Sequence, residues 1–174
     1  MTTAQTVTEN GKTYQFDALP KEQVAGISGM DVFKLMLDGQ LPAPPIMLQS
    51  NIRLKEFDHG RAVFVGQPEK QFLNPLGTIH GGWISTILDS ALSCAVHTCL
   101  EPGEFYTTTS LTVNMVRPLM PGSGEVTCEG RIVHRGSRLA TSEGELKDAR
   151  GKLIAHATVS CMIFPNPAAS SPGR

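Results

Sequence analysis

The chain reads as α+β: one long central helix wrapped by a curved antiparallel sheet of five to six strands. Three observations predict this. A single stretch, from Gly82 to about Leu100, carries apolar residues at helical spacing (Ile84, Leu88, Ala91, Leu92, Ala95, Val96) and stops before Pro102-Gly103. The region after it alternates with a period of two, most fully at Leu153, Ala155, Ala157, Val159, Cys161 and Ile163. Turn signals at Pro121-Gly122, Arg135-Gly136-Ser137 and Ala149-Arg150-Gly151 divide that region into strands that can pair with their neighbours. A strongly curved sheet that wraps the helix buries the apolar stripe and makes the helix the core.

Each remaining segment takes its place around that helix. Residues 1–45 read as an N-terminal extension, polar at first, with a short helix through Val32, Phe33, Met36 and Leu37, capped by Asp31 and stopped at Gly39. The LPAPPI run after it is expected to be a stiff proline linker. Residues 46–165 form the domain proper. It opens with a hairpin in which Ile52 and Leu54 lead through Asp58-His59-Gly60 into Ala62–Val65. Leu111, Val113 and Met115 alternate in one later strand, Val126, Cys128 and Ile132 in the next. The tail, residues 166–174, is expected to be disordered.

With 174 residues, 40% hydrophobic, the chain has room for one well-cored domain. Its formal charge of −1 and lack of a long basic run argue against a nucleic-acid partner. No apolar run approaches the roughly 20 residues that cross a bilayer, and the first ten residues lack the pattern of a signal peptide. Four cysteines without CxxC spacing (Cys94, Cys99, Cys128, Cys161) read as reduced and buried, in a cytoplasmic protein with no membrane partner. Cys94, His97 and Cys99 do not share one helix face, so no metal site is expected.

The long helix has an unusual polar side. Thr86, Asp89, Ser90, Ser93 and His97 gather opposite or beside the stripe, and no Lys, Arg or Glu occurs between Gly81 and Leu100. A solvated helix face carries Lys–Glu pairs at four-residue spacing. This side is therefore expected to lie under a partner chain or a ligand. Taken alone, Asp89 would read as a carboxylate bonded to a nearby hydroxyl or to water.

His80-Gly81-Gly82 immediately precedes the stripe, where free N–H groups and the positive end of the helix dipole meet whatever sits there. An oxyanion hole suits that position, and structural glycines at a loop-to-helix junction are the plainer reading. The longer string NPLGTIHGGWISTILDSA, with Asn74 six residues before His80 and Asp89 nine after, resembles the signature of PaaI-like acyl-CoA thioesterases of the hotdog superfamily. The resemblance runs from about Met47 to Phe164 and leaves out the first forty or so residues.

The resemblance implies a hotdog fold and thioester hydrolysis without a cofactor, CoA being part of the substrate. It implies Asp89 as catalytic carboxylate, Gly81 as the N–H donor to the thioester carbonyl, and Asn74 and His80 as residues that orient substrate and loop. Thr108 falls where a hydroxyl positions water, although Tyr106-Thr107-Thr108-Thr109 leaves that register open by one residue. Gly82 and Ser93 are expected to line the substrate site. Arg135 and Arg138 are candidates for the CoA phosphates, with ordinary surface charges as the alternative.

Geometry adds a condition of its own. Gly81 and Asp89, eight residues apart in one helix, are separated by about 12 Å. Oxyanion donor and carboxylate must each come within about 3 to 3.5 Å of one carbonyl. Both serve one thioester only if they come from different subunits of a homodimer, or of a dimer of dimers. Two other readings stand beside the hydrolase: a non-catalytic acyl-CoA-binding hotdog module and a hotdog dehydratase or hydratase.

Overall fold

A computed structural model describes residues 5–9 and 12–166. Six strands form one antiparallel sheet: β3 (Ile52–Asp58), β4 (Arg61–Gly66), β5 (Glu104–Met115), β6 (Val126–Arg135), β7 (Leu139–Lys147) and β8 (Leu153–Pro165). Their spatial order is β3-β4-β6-β7-β8-β5, so the strand that follows the long helix crosses over to the far edge. The helix, α4 (Gly81–His97), lies in the hollow of this sheet and packs against all six strands.

The predicted stripe is the core. Leu88, Ala91, Leu92, Ala95 and Val96 have no accessible surface, and neither has Ile87, which the stripe had left out. Each large side chain buried in this way contributes about 1.5–3 kcal/mol relative to exposure. The sheet approaches the helix most closely at Gly130 and Gly144, cross-strand partners on β6 and β7. A Cβ on Gly130 would stand 2.4 Å from the Ala91 carbonyl oxygen, so a side chain there has no room. Beside this contact, the Ser142 hydroxyl donates to the Leu92 carbonyl at 2.7 Å.

The first forty-five residues hold more structure than their composition suggests. β1 (Gln5–Glu9) and β2 (Lys12–Phe16) pair as a separate hairpin, followed by α1 (Lys21–Val24) and α2 (Gly29–Leu37). Ser28, not Asp31, caps α2: its hydroxyl oxygen accepts the Asp31 N–H at 3.2 Å while its own proton goes to the Asp31 carboxylate. The LPAPPI run is likewise no bare linker. Ala43 bridges to Phe16, its N–H donating to the Gln15 carbonyl at 2.8 Å, and Pro45 begins a short helix, α3 (Pro45–Gln49). Val24, Val32, Phe33, Met36 and Leu41 join the same core as α4. At the other end, Asn166 is buried and its N–H donates to the Gly103 carbonyl at 2.7 Å, so the chain is ordered through that residue. The rest of the expected tail lies outside the described residues.

α2 seats on the C-terminal end of α4. Phe33 packs on the His97 ring, 4.5 Å between centroids, and Tyr106 meets the same imidazole edge-on at 5.6 Å. Gly29 lies against the His97 carbonyl so closely that a Cβ would sit 1.8 Å from its oxygen. His97 Nε2 is buried without a hydrogen-bond partner among the described residues. Burial pulls the imidazole from 6.5 down to about 4, against a smaller upward pull from a backbone bond with Gly29. The unfolded chain therefore takes up this proton first. The stability tied to neutral His97 is complete above about pH 6.5 and drains away as pH falls toward 4, by up to about 3 kcal/mol. Urea midpoints at pH 7 and pH 4.5 should differ less in His97→Phe than in the unaltered protein; equal differences would remove His97 from the account.

Among the described residues no helix is long and apolar enough to cross a membrane, and no three His, Cys, Asp or Glu side chains are grouped to hold a metal ion.

Candidate active site

The loop before α4 is shaped by Asn74. Its Oδ1 accepts from the N–H groups of Leu76 and Thr78, at 2.9 and 3.2 Å, and its Nδ2 donates to the Thr78 hydroxyl at 2.8 Å. This is the Asx geometry that folds a loop back on itself. The amide is thus turned into the loop, a positioning rather than a substrate-facing arrangement. Gly77, at φ +78°, completes the turn, and Ile79 fastens the returning chain by donating to the Leu119 carbonyl at 2.8 Å.

His80 is the N-cap of α4, with Nδ1 accepting the Gly82 N–H at 2.8 Å. The N–H groups of Trp83 and Ile84 reach the His80 carbonyl at 3.0 and 3.4 Å. Of the donors that open the helix, only Gly81 has no acceptor among the described residues. His80 therefore removes Gly82 from the set available to a ligand and leaves the Gly81 N–H at the positive end of the dipole. Met115, the last residue of β5, lies beside it; a Cβ on Gly81 would come within 2.8 Å of the Met115 methyl carbon. Phe72 and Trp83 stack at 5.6 Å along the same end of the helix, where an open cavity of about 340 Å³ reaches His80, Gly82 and Thr86.

Two turns further on, the Thr108 hydroxyl donates to Asp89 Oδ1 at 3.1 Å. β5 is bulged between Thr108 and Ser110, so the strand turns Tyr106 and Thr108 toward the helix before the bulge and Leu111 and Val113 after it. The open register of the Thr107–Thr109 run thus resolves onto Thr108 as the hydroxyl that meets Asp89. Thr109, at the bulge, donates instead to the Ser160 carbonyl at 3.0 Å.

Around the carboxylate stand residues that the sequence had not singled out for chemistry. Cys161 of β8 lies 4.0 Å from the Thr108 hydroxyl, and Cys94 and Tyr106 are near enough to feel the charge of Asp89. Burial, then the charge of Asp89, pushes the Cys94 thiol up to about 12; the same two causes raise Cys161. Tyr106, hydrogen-bonded with Ser93, is pushed well above the usual phenol range, first by burial. These thiols stay protonated at neutral pH and supply no thiolate nucleophile. The carboxylate is the group here with nucleophilic or basic capacity. The period-two pattern marks Cys161 as inward-facing, but only the bulge in β5 tells that it stands opposite Thr108.

Ser93 is buried beside Tyr106. Arg135 and Arg138 lie apart from the Gly81 end. Arg135 is ion-paired with Glu104, at the opposite end of β5 from Met115, while Arg138 is exposed at the hairpin tip. Within one chain, then, Asp89 and Thr108 come together, Asn74, His80 and Gly81 come together, and the two groups stay about two turns of helix apart.

Comparison with known proteins bears on this arrangement. The thioesterase superfamily model matches residues 76–155, from the loop before α4 into β8. A protein of Saccharolobus solfataricus named as an esterase is 31% identical over 114 residues, which cover 66% of this chain and 79% of that one. The chain belongs to the thioesterase superfamily. Acyl-coenzyme A thioesterase 13 of Mus musculus is 33% identical to this superfamily member over 88 residues, 50% of its length and 61% of the mouse protein's. Among solved structures, a phenylacetic acid degradation-related protein of Ralstonia eutropha JMP134 matches with a TM-score of 0.69 at 30% identity, covering 75% of this thioesterase-superfamily chain and 98% of the other. The E. coli PaaI protein, at 20% identity and a TM-score of 0.65 over 70% of this chain and 86% of its own, shares the fold. The helix-wrapping sheet is the hotdog fold, as the sequence resemblance implied.

Proposed function

We propose that this superfamily member hydrolyses acyl-CoA thioesters at a site shared between two subunits, with Asp89 of one facing Gly81 of the other. The observation that carries the reading is the division just described. A carboxylate held by a hydroxyl and a free N–H at a helix start are the two halves of a thioester-hydrolysing site, and one chain keeps them about 12 Å apart. The name of the mouse relative, an acyl-coenzyme A thioesterase, supports the substrate class.

β5 offers the way to join the halves. It is the last strand of the sheet and its outer edge pairs with nothing among the described residues. Antiparallel pairing of two such edges about Thr112, with the bulge at Thr109 taking up one residue, would set Met115 of one subunit opposite Thr108 of the partner subunit. Gly81 then faces the partner's Asp89. The side of α4 that lacks Lys, Arg and Glu would be covered in this assembly.

In the reaction, the thioester carbonyl accepts the Gly81 N–H, and the helix dipole strengthens that bond as negative charge gathers on the oxygen. Asp89 takes a proton from a water that the Thr108 oxygen helps hold, and the water oxygen bonds to the carbonyl carbon. Collapse of the tetrahedral intermediate breaks the C–S bond, and the departing CoA thiolate recovers the proton from Asp89. Direct attack by Asp89 would form a mixed anhydride, which water then opens. A thiolate is a good leaving group, so a lone carboxylate is sufficient in either route.

The test is release of free thiol from short, medium, long and aryl acyl-CoAs by the purified protein. Turnover of at least one class is expected. Tight acyl-CoA binding with no turnover of any thioester would favour a non-catalytic binding module instead.

A further inference from the structure

Beyond the end of β5 the chain builds a second cavity, of about 300 Å³, lined by Arg117, Ser123, Asp148, Arg150 and Lys152 over Leu119 and Ile154. Three cations face it against one carboxylate, in a chain whose formal charge is −1. The carboxylate is partly engaged in its own turn: Asp148 Oδ1 accepts the N–H groups of Arg150 and Lys152, both at 2.9 Å. Arg117 is fixed in place, its guanidinium donating to the Leu153 carbonyl at 2.8 Å. Arg53, Arg61, Arg131 and Arg135 each have an acidic partner. Arg117, Arg150 and Lys152 make no ion pair within 4 Å among the described residues, and the one carboxylate whose charge reaches Arg150 and Lys152 is Asp148, leaving a cationic excess. Three cations against one carboxylate around one hollow, one cation pre-oriented, make a receptor for phosphate groups, which a guanidinium grips with two parallel bonds and an ammonium meets as a point charge.

Its place in the fold says which phosphates. Leu119, in the cavity wall, accepts the N–H of Ile79, two residues before Gly81. Arg117 follows by two residues Met115, whose side chain lies against Gly81. The cavity therefore adjoins the N-terminal end of α4, whereas Arg135 and Arg138 lie at the other end of β5 and Arg135 is already paired. In a CoA thioester the pantetheine arm separates the reacting carbonyl from a diphosphate and a 3′-phosphate. We infer that the Arg117–Arg150–Lys152 cavity receives the nucleotide phosphates of the CoA whose thioester carbonyl is held at Gly81 of the same chain, a reading that rests on the acyl-CoA substrate proposed above.

The double substitution Arg150→Glu/Lys152→Glu falls on exposed turn residues and leaves the core alone. The quantity to follow is the ratio of kcat/KM for an acyl-CoA to that for the same acyl thioester of pantetheine, which carries no phosphate. Loss and reversal of two phosphate contacts should lower that ratio by about tenfold or more, through KM for the acyl-CoA. An unchanged ratio with hydrolysis intact overturns the assignment. CoA binding, measured by calorimetry on Asp89→Asn protein with and without the double substitution, separates this proposal from the one before it. If the unaltered protein hydrolyses no thioester, the hydrolase reading fails. The cavity assignment then still stands if charge reversal weakens CoA binding about tenfold, and falls if CoA does not bind or binds equally to both.

Discussion

Asp89→Asn should lower kcat on the best acyl-CoA by about two orders of magnitude or more, with the oligomer intact. The amide has the size of the carboxylate and its oxygen can still accept from Thr108, so the pair at 3.1 Å need not rearrange. What disappears is the charge that makes the group a base or a nucleophile. Gly81→Pro attacks the other half. Gly81 is the first residue of α4, where proline is tolerated, and His80 already has φ −62° and ψ 137°, the conformation a following proline demands. That substitution deletes the N–H and keeps the helix. Each variant alone should be nearly inactive. Co-expressed in equal amounts, half of the dimers would be mixed, and each mixed dimer would carry one site with both defects and one with neither. Activity should return to about a quarter of the unaltered level. Mixed dimers, separated by tags, that remain as inactive as either parent would eliminate the shared site.

The second large effect is expected on stability. Gly130→Val places a branched side chain where even a Cβ stands 2.4 Å from the Ala91 oxygen and 2.8 Å from the Leu92 Cα. Those are backbone atoms of the helix the sheet is wrapped around, so no side chain can rotate out of the way. The cost should reach or pass the ~3 kcal/mol at the upper end of overpacking, seen as a lowered urea midpoint or as loss of folded protein. Gly26→Ala is the control, because a Cβ there meets nothing within 4 Å and the backbone is not in the left-handed region. If the two variants unfold at the same urea concentration, Gly130 is not the point of closest approach.

What could be read from the sequence was whatever leaves a periodic trace. The stripe from Ile84 to Val96 and the alternation from Leu153 to Ile163 give the central helix and β8 nearly residue for residue, and with the turn signals they give the fold class. The NPLGTIHGG string points to the right helix end because glycines and a capping side chain are local devices. Three things left no such trace. Asp89 and Thr108 belong to different elements, and their meeting depends on which residue in a run of threonines is taken up by the bulge. The N-terminal segment looked like an extension because its contribution to the core comes from scattered residues: Val24 from α1, Phe33 from α2, Leu41 from the chain that follows. Arg117, Arg150 and Lys152 are dispersed for the same reason, and only the tertiary fold collects them around one cavity.

The bulge at Thr109 gives β5 two reading frames. Up to Thr108 the even-numbered residues face the helix; from Leu111 onward the odd-numbered ones do, while both halves remain paired to β8. Absorbing this one surplus residue into a regular ladder, with no bulge to take it up, would carry Thr108 and Tyr106 to the outer face, or else turn Leu111 and Val113 out of the core. Every residue of the candidate site would still be present, but they would be out of phase with the helix. The chemistry proposed for this protein depends on a piece of punctuation as much as on its letters.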